Sequence, residues 1–232
     1  MMDASFIQKI YDISQPALFE INGRTYSSRP LSPVYDPSVE TIELHTLSGV
    51  AEFIRQYKDN YKLWIRNYDA VELLGTLQSD SQRYPHFVSA QATSAKQLHD
   101  WRDLETFIIV MQAAFIQDEV TAAILRVVGN VLDGKTTAIK DDGITQQVSV
   151  RTGISLAERA DIPNPVVLRP YRTFREIEQP ASLFVLRIRQ GGNGSQPVCA
   201  LFQADGDAWQ LDAIESIRNY FAQLFPDLVI LG

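Results

Sequence analysis

Cysteine is almost absent: Cys199 is the only one in 232 residues. A lone cysteine cannot close an internal disulfide, so the stapled folds of oxidising compartments are excluded. It lies in the apolar run Val198–Phe202, where an inert core thiol is expected. Long hydrophobic runs are missing too. The most apolar stretch, Phe107–Ile116, is broken only by Gln112 and is half the length of about twenty residues that a spanning helix needs. Met1–Ser14 carries Asp3, Lys9 and Asp12 with no apolar core, so it does not read as a secretory leader. A soluble protein of the cytoplasm is expected. Histidine is scarce. His45, His86 and His99 stand far from one another and from Cys199, without metal-ligand spacing, so no metal and no cofactor are expected.

What is present is ordinary globular material, 45% apolar and 21% charged, in a chain long enough to bury most of its surface without staples. The pattern predicts a short helix over Ser5–Ile13 and a hairpin over Ala17–Ser28 turning at Asn22-Gly23. A loop punctuated by Pro30, Pro33 and Pro37 follows. Beyond it come a strand at Thr41–His45, a helix capped by Thr46 or Ser48, and strands at Lys62–Arg66, Ala70–Leu74 and His86–Ala92. Asp103–Ile116 is apolar nearly all round and predicts a buried helix, and Asp118 caps a second one, striped by Val120, Ile124, Val127, Val128 and Val131. Strands are expected at Thr136–Lys140 and Thr145–Arg151 around Asp141-Asp142-Gly143, then at Val166–Arg169, Leu183–Arg189, Val198–Gln203 and Leu228–Leu231. Asp207–Leu224 predicts a helix capped by Asp207, with Leu211, Ile214, Ile217, Phe221 and Leu224 buried. The expected fold class is α+β: mixed or antiparallel sheets of hairpins, a buried central helix pair and a C-terminal amphipathic helix. Residues 1–40 form an N-terminal helix, hairpin and Pro-rich loop, and 41–232 a single α+β domain.

Gly129-Asn130-Val131-Leu132-Asp133-Gly134-Lys135-Thr136 matches the P-loop pattern, but its context is reversed. A phosphate-cradling loop follows a strand and opens a helix, whereas here a helix precedes and a β-like run follows. The acid pairs Asp141-Asp142, Glu176/Glu178 and Asp205/Asp207 read as turn chemistry. No residue is assigned a catalytic role.

Charge is distributed unevenly. The net charge is −7, yet Arg151–Gln190 holds seven arginines, no lysine and four acids. Arg169, Arg172 and Arg175 recur every three residues with Tyr171 and Phe174 between them, and Arg187 and Arg189 share one face of a strand. The planar guanidinium suits carboxylates, phosphates and ring stacking better than an ammonium does. Arg169, Tyr171, Arg172, Phe174, Arg175, Arg187 and Arg189 are therefore the candidate binding residues, for a protein partner or a single-stranded nucleic acid. The bland alternative is a solvated face paired with Glu176 and Glu178.

Several segments carry a resemblance. Phe107-Ile108-Ile109, Asp141-Asp142-Gly143-Ile144-Thr145-Gln146, Pro163-Asn164-Pro165-Val166, Pro170-Tyr171-Arg172-Thr173-Phe174, Glu176-Ile177-Glu178-Gln179-Pro180 and Ala200-Leu201-Phe202-Gln203-Ala204-Asp205-Gly206 resemble a set of uncharacterised tailed-phage and prophage proteins. More distantly, the plan is similar to that of the YfdQ-like prophage proteins of unknown function. The resemblance implies a bacteriophage or prophage origin and a host-cytoplasm setting, and it carries no activity and no catalytic residue. The expected function is that of a non-enzymatic phage accessory protein, a homo-oligomer that binds through the Arg169–Arg189 region. The alternatives are an enzyme acting on nucleotides or nucleic acid, and a structural component of the virion.

Overall fold

The computed structural model describes residues 4–14, 16–21, 23–28, 40–78, 84–93, 100–132, 136–141, 146–152, 155–162, 164–189 and 196–232. The fold is α+β, with helices packed on mixed and antiparallel sheets. An N-terminal helix, α1 (Ala4–Ser14), is followed by a hairpin of β1 (Leu18–Ile21) and β2 (Arg24–Ser27). Gly23 turns this hairpin at φ +73, a left-handed value that glycine adopts without strain, and Ala17 and Ser28 close its open end with two hydrogen bonds. Asn22, the other residue expected in that turn, lies outside the described residues, as do the three prolines expected to form the next loop.

A five-stranded mixed sheet comes next. Strands β4 (Lys62–Asn67), β5 (Ala70–Leu74) and β6 (His86–Gln91) pair antiparallel around the turn at Tyr68-Asp69. Two short strands close its edges in parallel: β3 (Ile42–Leu44) against β6, and the C-terminal β14 (Val229–Leu231) against β4. Thr46 caps α2 (Leu47–Gln56) by accepting a hydrogen bond from the Gly49 N–H, so of the two expected caps Thr46 is the one used. Leu47 and Val50 of α2, Leu63, Ile65, Val71 and Leu73 of the sheet, and Ile217 and Phe221 of the last helix form one buried cluster.

The second cluster lies under an antiparallel sheet ordered β11 (Val166–Leu168), β12 (Ser182–Arg189), β13 (Val198–Gln203), β7 (Arg102–Asp103). Helices α3 (Leu104–Ala114) and α4 (Glu119–Leu132) pack on its inner face, with Phe107, Met111, Ile124 and Val128 against Phe184, Leu186 and Leu201. Asp103 and Asp118 cap these helices through the N–H groups of Thr106 and Thr121. Cys199 is buried in this cluster, and burial pushes its thiol up to about 12. A three-stranded antiparallel sheet runs along α4, with β9 (Gln146–Thr152) between β8 (Thr136–Asp141) and β10 (Ser155–Ile162). The Asp142-Gly143 part of the expected hairpin turn lies outside the described residues. The sequence pattern missed β10 and the two-residue β7 altogether.

Asn164 continues a ladder that its own backbone cannot. It stands in register opposite Leu186, two residues beyond the Val166–Phe184 pair, where the Asn164–Pro165 peptide is cis. Its side chain donates to the Leu186 carbonyl and accepts from the Leu186 N–H, each at 3.0 Å. A buried strand thus keeps its edge satisfied.

Three expectations about helix faces need correction. Helix α3 is not buried all round: Ile109 is 57% exposed on its outer face. On α4, Val120 faces solvent and Thr121 takes the buried place, because its hydroxyl finds the Ile116 carbonyl. On α5 (Trp209–Leu224) the buried ladder is Trp209, Ala213, Ile217 and Phe221, and Leu211 and Leu224 are exposed. Asp207 does not cap this helix. Its φ of +65 is left-handed, whereas a cap needs an extended backbone, and its carboxylate instead accepts from Gln203. Among the described residues, no helix is long and apolar enough to cross a membrane. The two faces of α3 make different predictions for urea denaturation: Phe107→Ala is expected to cost about 3–5 kcal/mol and Ile109→Ala less than about 1 kcal/mol. Equal losses would contradict the packing.

Candidate functional site

Between the two clusters runs the irregular segment 169–181, and it positions the candidate site. Its start is tied to the end of α3: Pro170 bridges Phe115, and the Tyr171 N–H donates to the Ala114 carbonyl. Its middle crosses to the five-stranded sheet. Phe174 is buried in that sheet's cluster, the Thr173 hydroxyl donates to the Tyr68 carbonyl, and Glu176 accepts from the Ser48 N–H and hydroxyl at the start of α2. The segment then returns to β12.

Gln179 holds this excursion in shape. Its amide is buried and bonds four backbone groups. The oxygen accepts from Arg172 N–H at 3.0 Å and Thr173 N–H at 3.3 Å, and the nitrogen donates to the Phe174 carbonyl at 2.8 Å and the Ile177 carbonyl at 3.3 Å. A side-chain amide supplies both donors and acceptors, which an irregular buried backbone requires.

The predicted arginines do not form one face. Arg172 is only 9% exposed. Its guanidinium lies 3.7 Å over the Trp209 ring and donates to the Ser182 hydroxyl, the Pro180 carbonyl and the Gln203 side chain. Burial pulls its pKa down to about 10, against the opposing pull of Asp205 and Asp207, so it stays charged at neutral pH. For Asp205, burial raises the pKa, but hydrogen bonds from Ser182, Gln203 and the Asp207 N–H, with the Arg172 charge, leave it below the usual range. Arg172 is therefore a structural cation, and Phe174, 1% exposed, has no face left for a base. Arg169 is exposed and reaches Glu178 at 3.6 Å, the paired arrangement of the bland alternative. Arg187 and Arg189 point outward from β12, as their spacing predicts, and Phe184, Leu186 and Ile188 point inward. The Arg189 guanidinium stacks 3.9 Å over Trp101, which meets Phe202 edge-on. Arg187 donates to the Leu186 carbonyl.

Arg175 stands in a different place. It lines a cleft of about 540 Å³ between α3 and the edge of the five-stranded sheet. Ile109, Val110 and Ala113 of α3 line it, with His45, Thr46 and Thr93 from the sheet edge and Thr173 and Phe174 from the segment. The guanidinium lies 3.6 Å over the half-buried Tyr171 ring, which fixes its plane. Among the described residues no carboxylate reaches it, since the neighbouring Glu176 is held by Ser48. His45 contacts the Gln91 carbonyl at 3.3 Å. Among the described residues no group of His, Cys, Asp and Glu is arranged to hold a metal. His99 lies outside them.

The Gly129–Thr136 motif has the reversed context that its sequence suggests: Gly129 to Leu132 end α4, and Thr136 opens β8. Residues 133–135 lie outside the described residues. No family model, curated protein or solved structure matches this chain, so the site rests on its own geometry.

Sequence reasoning missed Gln179 and Trp209, the partners that bury Arg172. The Arg-x-x-Arg spacing could not separate them, because it is the same for a buried, a paired and a cleft-lining arginine. The separation is testable by urea denaturation. Arg172→Ala is expected to cost about 3 kcal/mol, because it strips a buried donor set. Arg172→Lys is expected to cost roughly 2 kcal/mol, because an ammonium lacks the planar fork. A loss below about 1 kcal/mol in Arg172→Ala would place the guanidinium at the surface.

Proposed function

We propose that the protein is a binding protein rather than an enzyme, an accessory protein of the phage or prophage setting that its sequence resembles. Its partner is a protein segment that presents an acidic side chain beside an apolar one. What supports this reading is Arg175, a guanidinium stacked on Tyr171, unpaired among the described residues, in the lining of a cleft that α3 makes apolar on one side. A fork held in place loses less entropy on pairing with a carboxylate. The exposed Ile109 offers the adjoining apolar contact.

Catalysis is less well supported, because the acid in the cleft is engaged. Glu176 accepts two hydrogen bonds from Ser48, so it is committed to anchoring α2 rather than to moving a proton. Single-stranded nucleic acid is disfavoured by charge. A net charge of −7 repels a polyanion at long range, and the outward arginines are divided between the cleft and the outer face of β12.

Fluorescence anisotropy tests this reading with two labelled probes, a peptide of alternating leucine and glutamate and a single-stranded oligonucleotide. The peptide is expected to bind with salt-sensitive affinity. Arg175→Ala is expected to weaken it about tenfold, or about 1.4 kcal/mol. Preference for the oligonucleotide, or peptide binding unchanged by Arg175→Ala, would overturn the reading.

A further inference from the structure

Two apolar surfaces stand open on the same chain. The first is the N-terminal arm. Helix α1 exposes Phe6, Ile7, Ile10 and Tyr11, and the hairpin exposes Leu18, Phe19, Ile21 and Tyr26, all between 49% and 63%. Across 4–28 no side chain with a described exposure is buried. These eight side chains present on the order of 800 Å² of apolar surface, the area that one partner contributes to a standard interface. Monomers rarely leave that much uncovered.

The second surface is the outer face of the β11–β12–β13 sheet. Helices α3 and α4 cover its inner face, and the start of α5 borders the outer face beside Val167 and Leu183. On the outside, Val167 lies opposite Leu183 and Val185 opposite Phe202, and Trp101 extends the patch edge-on to Phe202. Val167, Leu183 and Phe202 are all exposed. The same face carries Arg187 and Arg189, with Arg189 stacked on Trp101, so the open apolar part is the Val167–Leu183–Val185–Phe202 patch. An open apolar sheet patch is stabilised by covering it with a helix or a second sheet, and the arm carries both kinds of element.

We propose that the arm of one copy seats on the outer sheet face of a second copy, in reciprocal exchange. The occupant is another molecule of this chain because each copy leaves open both the surface that needs covering and the element that covers it. The eleven residues 29–39 join the arm to the rest of the chain, and a stretch of that length can reach at most about 36–40 Å. A two-fold pair then buries both arms at once and closes, rather than growing into a filament. The Arg175 cleft lies on the other side of α3 from this sheet's core and takes no part, so the exchange stands or falls independently of the binding reading.

Sedimentation equilibrium of the full chain at tens of micromolar is expected to give a dimer. Ile7→Glu/Ile10→Glu and, separately, Leu183→Glu/Phe202→Glu are each expected to weaken dimerisation at least 100-fold and to leave a monomer with a native circular dichroism spectrum. A cross-link keeps the test independent of those variants. A tagged Tyr11→Cys chain mixed with an untagged Leu183→Cys chain is expected to form the mixed disulfide under mild oxidation, because the buried Cys199 does not compete. A monomeric wild type, a dimer that survives both charged variants, or cross-links between like chains only would each overturn the exchange.

Discussion

The Gln179 side chain is the constraint on which the arrangement of this protein depends. The segment it organises leaves one hydrophobic cluster, contributes Phe174 to the other, and returns to β12 over the thirteen residues 169–181. An excursion of that kind exposes backbone groups that no helix or strand satisfies. One buried amide satisfies four of them. The geometry of the rest follows. Arg172 is drawn against Trp209, which fixes the start of α5, and Glu176 is set against the start of α2. The cleft exists because the segment bridges α3 and the five-stranded sheet and leaves space above itself.

The same segment sorts the arginines by role. Arg172 faces inward and binds the fold together. Arg169 faces Glu178 in solvent, where an ion pair contributes little. Arg175, three residues beyond Arg172, lies over the Tyr171 ring and lines the cleft. Three arginines at equal spacing thus stand in three settings: buried, paired in solvent and lining a cleft. The division follows from the path of the backbone between two cores rather than from residue type.

Where local chemistry decides structure, the sequence was legible. The hairpin of β4 and β5, the Asp118 cap, a cap at Thr46 or Ser48 and the shared face of Arg187 and Arg189 were readable because strand alternation and capping are properties of a few adjacent residues. The misses share a physical cause. The run Ser155–Ile162 puts Glu158 and Arg159 side by side and breaks the alternation that marks a strand. Leu211 reads as core on α5 by periodicity, but Trp209 claims the buried side, because the helix is rotated to pack that ring on Arg172 and Tyr68. Asp207 follows Gly206, also left-handed, and two such residues in a row turn the chain away from capping geometry. Burial along 169–181 has no period at all. Nothing short of tertiary contact could show that Arg172 is inside and Arg175 outside.

The coupling of the two clusters through this segment is most directly tested by native-state hydrogen exchange on Gln179→Leu, which keeps the bulk of the side chain and removes its four hydrogen bonds. Strands β5 and β12 belong to different clusters, and their backbone amides report on each. If the segment binds the clusters into one cooperative unit, protection at both sets falls by the same factor. Loss of protection in one strand while the other keeps its wild-type exchange rate would contradict the account.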